Sequence, residues 1–107
     1  MLFMLCIDVS IPPEMAQAEK DKLRERENAR AMELIGEGTL VRIWRIVGRV
    51  ANFSLWEAPT LEALHERVSS LPMFPYTKVD VTPLINHPVT EAAEAASAAR
   101  GAKKGAA

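Results

Sequence analysis

The sequence is poor in the residues that build covalent or metal-held folds. Its 107 residues include one cysteine, Cys6, and two histidines, His65 and His87. A single cysteine excludes an internal disulfide framework, and these three residues do not have the spacing of a zinc site. We therefore expect no metal, and we expect a reducing compartment, the cytoplasm.

Net charge and long apolar runs are also scarce. The 13 Lys and Arg residues against 14 Asp and Glu residues give a net charge of −1, which is not the strong positive field of a nucleic-acid-binding domain. No apolar run approaches the roughly 20 residues that cross a bilayer. The apolar opening MLFMLCIDV has neither the basic start nor the small-residue cleavage site of a signal peptide. We expect neither nucleic acid nor a membrane as a partner.

The chain has the length of one small domain, which would bury roughly two thirds of its unfolded surface. Prolines, glycines and apolar periodicity divide it into short elements. The predicted elements are a strand over 1–9, a long helix over 13–36, strands over 39–47 and 50–57 joined by Gly48-Arg49, a helix from the N-cap Thr60 to about 71, and a strand over 77–83. The order β-α-β-β-α-β predicts an α+β, ferredoxin-like fold, in which a four-stranded antiparallel sheet carries both helices on one face.

The predicted strand over 39–47 has large apolar residues on both faces. Val41, Ile43 and Val47 alternate with Leu40, Trp44 and Ile46. Because two helices cover only one face of a sheet, we expect a homo-oligomer that covers the other.

The domain is expected to span residues 1–88, and residues 89–107 form an Ala-rich, low-complexity tail. The composition of the tail is compatible with a helix, but it lacks large apolar residues that would dock it. We expect the tail to be frayed or held only by a neighbouring subunit.

Glu27 is the first candidate for chemistry. On a helical projection it falls within the apolar arc of Leu23, Ala31, Leu34 and Ile35, so the helix aims a carboxylate at the core side. In a partly apolar pocket the pKa of a carboxyl group rises, which makes it a usable general base. A carboxylate at the edge of the core that pairs with an arginine or reaches water fits the same pattern, and both readings stay open.

Three arginines, Arg42, Arg45 and Arg49, interrupt the otherwise apolar hairpin. Arg45 shares a strand face with Ile43, whereas Arg42 shares the opposite face with Trp44. A forked guanidinium in a pocket suits a substrate carboxylate and also stabilises an enolate oxygen. An interface salt bridge or an exposed edge charge is the alternative.

Tyr76 and His65 are weaker candidates. Tyr76, the only tyrosine, precedes the last strand and has a phenol that can donate a hydrogen bond, while His65 on the second helix has an imidazole that can transfer a proton. Both types of residue are commonly structural at such positions. Trp44 and Trp56 favour core or subunit packing over base stacking, because no basic surface accompanies them.

Several short stretches form a pattern that is specific when they are taken together. They are Glu37-Gly38-Thr39, Trp44-Arg45-Ile46, Ala51-Asn52, Glu62-Ala63-Leu64-His65, Leu71-Pro72 with Phe74-Pro75-Tyr76, and His87-Pro88. With the opening MLF and the helix that bears Glu27, this pattern resembles the muconolactone Δ-isomerase family over about residues 1–88.

The resemblance implies a ferredoxin-like, cofactor-independent isomerase that assembles into decamers built from dimers. It implies a reaction of bacterial aromatic catabolism, in the β-ketoadipate pathway, that converts the small anionic lactone muconolactone to 3-oxoadipate enol-lactone. A base removes the ring γ proton, a dienolate forms and a proton returns to the α carbon, with no redox step.

On this basis Glu27 is expected to shuttle the proton and Arg45 to bind the substrate carboxylate or the enolate. Tyr76 is expected to assist by hydrogen bonding, and His65 is the substitute base. Trp44 and Arg42 complete the predicted substrate-binding set.

Strand one departs from the family pattern, since Met4 and Cys6 stand where well-known members have His and Lys. Other functions stay open on the same scaffold: a methylmuconolactone-type isomerase, a monooxygenase-like dimeric α+β barrel, or a non-catalytic lactone-binding protein. Turnover of a panel of lactones would identify a methylmuconolactone-type isomerase. A requirement for oxygen would indicate a monooxygenase, and binding without turnover would indicate a lactone-binding protein.

Overall fold

The computed structural model describes the backbone of residues 1–106 and the side chains of residues 1–101. The elements are β1 (Leu2–Val9), α1 (Gln17–Gly36), β2 (Leu40–Arg45), β3 (Ala51–Glu57), α2 (Leu61–Ser69), a 3-10 turn (Phe74–Tyr76), β4 (Thr77–Leu84) and α3 (Pro88–Ala106). The strands form one antiparallel sheet in the order β2-β3-β1-β4. The predicted ferredoxin-like α+β fold is confirmed.

Alternation along β1 decides which face of the sheet the helices cover. Phe3, Leu5 and Ile7 are buried, while the residues between them are partly exposed. The core joins these three side chains to buried residues of β2, β3, both helices and the segment after β3, namely Leu40, Trp56, Leu34, Leu64, Val68 and Ala58. Both α1 and α2 therefore pack on one face, as predicted, and the opposite face of the sheet carries no helix within residues 1–101.

The ends of the helices follow local backbone chemistry. Ala16 is extended, so α1 begins at Gln17 and not at residue 13 as predicted; the Met15 N–H instead donates to the Pro12 carbonyl in a preceding turn. After α1, Gly38 has a φ of 81°, a conformation that glycine adopts without strain. Thr60 caps α2 as predicted, because its Oγ1 accepts a hydrogen bond from the Ala63 N–H at 3.0 Å.

A β-bulge changes which side chains of β2 share a face. The register of β2 against β3 shifts between Leu40 and Arg42. The extra residue reverses the alternation, so Leu40 lies on the same face as Ile43 and Arg45, and Trp44 lies on the other face. The predicted grouping of Leu40 with Trp44 is therefore wrong. β2 also ends at Arg45, two residues earlier than predicted.

The Ala-rich tail forms the helix α3. Alanine has the highest helix propensity, and Glu91 near the N-terminus of the helix favours it further. All side chains between residues 88 and 101 are exposed, so the packing of these side chains does not hold α3 against the rest of the fold. A frayed tail was one expectation, whereas the structure shows a continuous helix. Within residues 1–106, no helix is both long and apolar enough to span a membrane.

Candidate active site

A cavity of about 610 Å³ lies between the helix-covered face of the sheet, α1 and the segment that follows α2. Its volume is within the range of small-molecule sites, about 300–1,000 Å³. Its walls are mostly apolar, with Ile7, Trp56, Leu71 and Val79 among them. The polar side chains on these walls are therefore few, and each one has a large influence on what the cavity can bind.

Glu27 supplies the carboxylate of the cavity. It is half-buried on the inner face of α1, and its Oε1 accepts a hydrogen bond from the Met73 N–H at 2.9 Å. Burial raises the pKa of Glu27 above its ordinary value, and the Met73 hydrogen bond opposes this increase in part. No ion pair to Glu27 occurs within residues 1–101. A carboxylate in this state is a better proton acceptor than an exposed one.

Arg45 brings a guanidinium group to the same cavity. It is the last residue of β2 and lies opposite Asn52 of β3 in the sheet. Its side chain is exposed and makes no ion pair with another described residue, so the positive charge is available at the mouth of the cavity. Glu27 and Arg45, on different elements of the fold, thus line one cavity.

The other predicted site residues lie elsewhere. His65 is exposed on α2, and its ring and the Phe74 ring form a T-shaped pair with centroids 6.1 Å apart. Tyr76 is half-buried in the 3-10 turn and also lies outside the lining of the cavity. Trp44 and Arg42 are on the open face of the sheet, where the Arg42 guanidinium carbon is 5.4 Å from the centroid of the Trp44 ring.

The sequence reasoning missed five polar residues that also line the cavity: Arg24, Asn28, Asn52, Ser54 and Thr77. Arg24 precedes Glu27 by three residues, a spacing that places both on one helix face. Asn52 alternates with Ser54 and Trp56 along β3, which puts all three on the helix-covered face. Both spacings are readable from the sequence.

The buried end of the cavity is held by one internal hydrogen bond. The Trp56 Nε1–H donates to the Ser54 Oγ at 2.7 Å, and both residues are almost completely buried. This bond satisfies the indole and fixes the ring against the core. Trp56 and Ser54 thus line the cavity with their side-chain polar atoms bonded to each other.

Met4 and Cys6, the two residues of β1 that depart from the family pattern, lie away from the cavity. Met4 contributes to the open face together with Trp44 and Phe53, and Cys6 lies opposite Phe53 in the sheet. The Cys6 Sγ accepts a hydrogen bond from Arg49 at 3.5 Å on this face. Met4 and Cys6 therefore do not alter the walls of the Glu27 cavity within one subunit.

In the part of the chain that is described, no three His, Cys, Asp or Glu side chains are grouped so that they could hold a metal ion. The polar side chains that line the cavity supply one carboxylate, two guanidinium groups, two amides and two hydroxyl groups. These groups can bind an organic anion and move a proton.

The fold and the cavity define a small α+β protein of the ferredoxin-like class, with a site equipped for proton transfer on an anionic ligand. Comparison with known proteins narrows this class. The chain belongs to the muconolactone delta-isomerase family, whose model matches residues 1–90.

Individual relatives agree with this assignment. The chain is 41% identical to the muconolactone Delta-isomerase of Cupriavidus pinatubonensis, over 82% of this chain and 96% of that protein. It is 38% identical to the Pseudomonas aeruginosa enzyme of the same name, over 82% of this chain and 92% of the relative. A crystal structure of muconolactone isomerase superposes with a TM-score of 0.78 at 40% identity, covering 82% of this chain and 92% of that one.

The raised pKa of Glu27 predicts a pH-dependent cost to stability. The folded protein holds this proton more tightly than the unfolded chain, so as pH rises above 4.5 and through the raised pKa, the free energy of unfolding falls. Glu27→Gln keeps a hydrogen-bond acceptor for Met73 and carries no charge. We therefore expect wild type to lose stability relative to Glu27→Gln over this pH range, measured by urea unfolding at one protein concentration.

Glu25→Gln is the matched control, since Glu25 is exposed on the same helix. A difference between wild type and Glu27→Gln that does not change with pH would contradict the raised pKa. A wild type that gains stability over Glu27→Gln as pH rises would contradict it as well.

Proposed function

We propose that this protein isomerises muconolactone to 3-oxoadipate enol-lactone, without a change of redox state. The observation that carries the proposal is the half-buried Glu27 in an apolar cavity of a chain about 40% identical to muconolactone Delta-isomerases. The place of the reaction is bacterial aromatic catabolism, the β-ketoadipate pathway, in the cytoplasm. The resemblance and the low cysteine content support that place.

Glu27 is the base in this proposal. Its carboxylate takes the proton from the ring γ carbon, and the electrons of that C–H bond move through the conjugated ring to the carbonyl oxygen. The carboxylic acid that results then returns a proton to the α carbon. Because its pKa is raised by burial, the carboxylate takes the proton more readily than an exposed one would, and the same group serves both carbons.

Arg45 is the anchor for the substrate carboxylate. Its guanidinium is at the cavity mouth, where the carboxymethyl arm of the lactone can remain partly hydrated while the ring enters the apolar part. Anchoring the arm holds the ring carbons near Glu27, which lowers the entropic cost of proton transfer. We assign no step to His65 or Tyr76, since neither lines the cavity.

The reaction needs no cofactor, because one proton leaves carbon and one proton returns to carbon. Turnover of muconolactone by the purified protein, followed by absorbance in the presence of a metal chelator, tests the proposed function. We expect saturable conversion to the enol-lactone. Turnover of a methyl-substituted muconolactone alone would favour the related methyl-lactone isomerase, and tight binding without conversion would overturn the proposed activity.

We also propose that the protein is a homo-oligomer, a decamer built from dimers. The open face of the sheet supports this proposal, because Trp44 and Phe53 are 40% and 45% exposed there beside the partly exposed Met4 and Leu55. An apolar surface on the face of a sheet is typically covered by a partner. The Arg42 guanidinium beside Trp44 lies at this surface.

Phe53→Glu is expected to dissociate the assembly, because it places a charge in the covered apolar surface. Sedimentation velocity should show an oligomer for wild type and a smaller species for Phe53→Glu. Val47→Glu is the matched control, since Val47 is 98% exposed in the hairpin loop. A wild type that sediments as a monomer would contradict the proposed assembly.

A further inference from the structure

Arg24 brings a second guanidinium group to the cavity, on a different wall from Arg45. It lies on α1 one turn before Glu27, whereas Arg45 lines the cavity from β2. Both arginine side chains are exposed, and neither makes an ion pair with another residue among 1–101. Within these residues the cavity therefore has one unpaired cation on its helix wall and one on its sheet wall.

The substrate that enters this cavity needs only one of these cations. Among the described residues, the ionisable side chains of the lining are Arg24, Arg45 and Glu27. The lactone has a single carboxylate, and one guanidinium can bind a carboxylate with two parallel hydrogen bonds. With the carboxylate on Arg45, the guanidinium of Arg24 has no anion of the bound substrate to meet before the reaction begins.

The reaction itself creates a second anion. When Glu27 takes the γ proton, Glu27 becomes neutral and the ring becomes a dienolate, so the substrate then carries two negative charges. The new charge collects on the former carbonyl oxygen, at the opposite end of the conjugated system from the carbon that bears the arm. A lactone held by its arm at Arg45, with its γ carbon at Glu27, therefore directs this oxygen away from Arg45.

Arg24 is placed to meet that oxygen. The spacing of three residues puts Arg24 and Glu27 side by side on one helix face, so a ring that lies over Glu27 is within reach of the guanidinium. Asn52 and Ser54 on the sheet wall are neutral and can add a hydrogen bond but no charge. A hydrogen bond between charged groups is roughly twice as strong as a neutral one, which favours the guanidinium as the main partner of an enolate.

We propose that Arg24 is a catalytic residue whose guanidinium donates to the carbonyl oxygen of the lactone ring and stabilises the dienolate; this assignment rests on the proposed function. The γ C–H electron pair moves into the conjugated ring, and Glu27 holds the proton. Negative charge then collects on the oxygen that Arg24 contacts. When the α C–H bond forms, the electrons return from that oxygen to carbon. No electron is gained or lost overall, and Arg24 keeps its own protons.

Arg24→Met tests this role, because methionine keeps an apolar stem and removes the guanidinium. We expect kcat to fall by about tenfold to a hundredfold with little change in KM. This range is below the roughly 10²- to 10³-fold cost of losing a buried oxyanion donor, since Arg24 is exposed. Arg24→Lys keeps the charge and is expected to have an intermediate kcat. Arg26→Met is the matched control, because Arg26 is exposed on α1 and lies outside the cavity lining.

The binding of two furans measures the same contact without turnover. Furan-2-ylacetate has a planar ring and the arm alone, whereas 5-(carboxymethyl)furan-2-carboxylate adds a second anion near the place of the dienolate oxygen. By isothermal titration calorimetry, we expect wild type to prefer the dianion by about tenfold. We expect Arg24→Met to lose most of this preference, and Arg45→Met to bind both furans more weakly.

The outcomes separate this role from an anchoring or a structural one. An Arg24→Met protein that keeps the kcat of an active wild type overturns the role of Arg24 and leaves the proposed isomerase function intact. A rise in KM at unchanged kcat also overturns it, since Arg24 would then bind the substrate carboxylate. We expect urea unfolding of Arg24→Met to match wild type, and a fall in kcat explained by loss of folded protein overturns the role as well. A wild type that does not convert muconolactone overturns both proposals.

Discussion

Glu27→Gln is expected to lower kcat for muconolactone by about 10²- to 10⁴-fold, the range for loss of a general base. The amide has nearly the same shape and can still accept the Met73 hydrogen bond, but it cannot take a proton from carbon. Because Glu27 acts on the ring carbons and does not anchor the carboxylate, we expect KM to change little. Steady-state kinetics by absorbance measure both constants.

The fold of the Glu27→Gln protein can be checked independently, since its stability is expected to equal or exceed that of wild type at neutral pH. Glu25→Gln removes an exposed carboxylate from the same helix and is expected to keep full activity. A folded Glu27→Gln protein with an undiminished kcat would exclude Glu27 as the base.

Arg45→Met is expected to raise KM for muconolactone by about tenfold to a hundredfold. A hydrogen bond to a charged group contributes about 1.5–3 kcal/mol, which corresponds to that range of affinity. The loss is expected mainly in KM, because the arm carries its negative charge in both the ground state and the transition state. Initial rates over a wide range of substrate concentration give the two constants separately.

Arg45→Lys keeps the charge but loses the forked geometry, so we expect an intermediate KM. Arg26→Met is the matched control, because Arg26 is an exposed arginine of α1 outside the cavity lining. An Arg45→Met protein with the KM of wild type would show that another group, such as Arg24, holds the substrate carboxylate.

Local signals were enough to predict the elements of this fold. The Thr60 cap, the glycine stop at Gly38 and the run of large apolar residues in β1 are signals that depend only on residues close by in the sequence. Their order along the chain then specifies one sheet with two helices on one face. The start of α1 was placed too early, because the extended conformation of Ala16 is not visible in its residue type.

The bulge in β2 shows where the alternation of side chains along a strand fails to predict which face each residue occupies. Strict alternation of side chains along a strand would place Leu40 and Trp44 on the same face. Because of one extra residue before Arg42, Leu40 lies in the core and Trp44 lies on the open face. The residue types of this strand do not predict the bulge. The inference that both faces of the sheet are apolar survives the change, since Trp44 and Phe53 still lie on the open face.

The site residues that could be predicted are those whose side-chain direction is set by secondary structure alone. Glu27 follows from the helical period, and Arg45 shares its face with Ile43 beyond the bulge. His65 and Tyr76 were chosen for their chemistry, but the orientation of α2 and of the 3-10 turn depends on tertiary packing. Asn52 was overlooked because the search of the sequence concentrated on charged and titratable side chains, and an amide is neither. The alternation of side chains along β3 places Asn52 on the same face as Trp56, which is the cavity face.

In the proposed mechanism one carboxylate, Glu27, carries a proton from the γ carbon to the α carbon inside the cavity. Conversion of muconolactone that bears deuterium at the γ carbon, in ordinary water, follows this proton itself. During the first turnovers we expect part of the enol-lactone to carry the deuterium at its α carbon, detected by mass spectrometry and NMR. Product that contains no deuterium at that carbon from the first turnovers onward would contradict transfer by a single sheltered carboxylate.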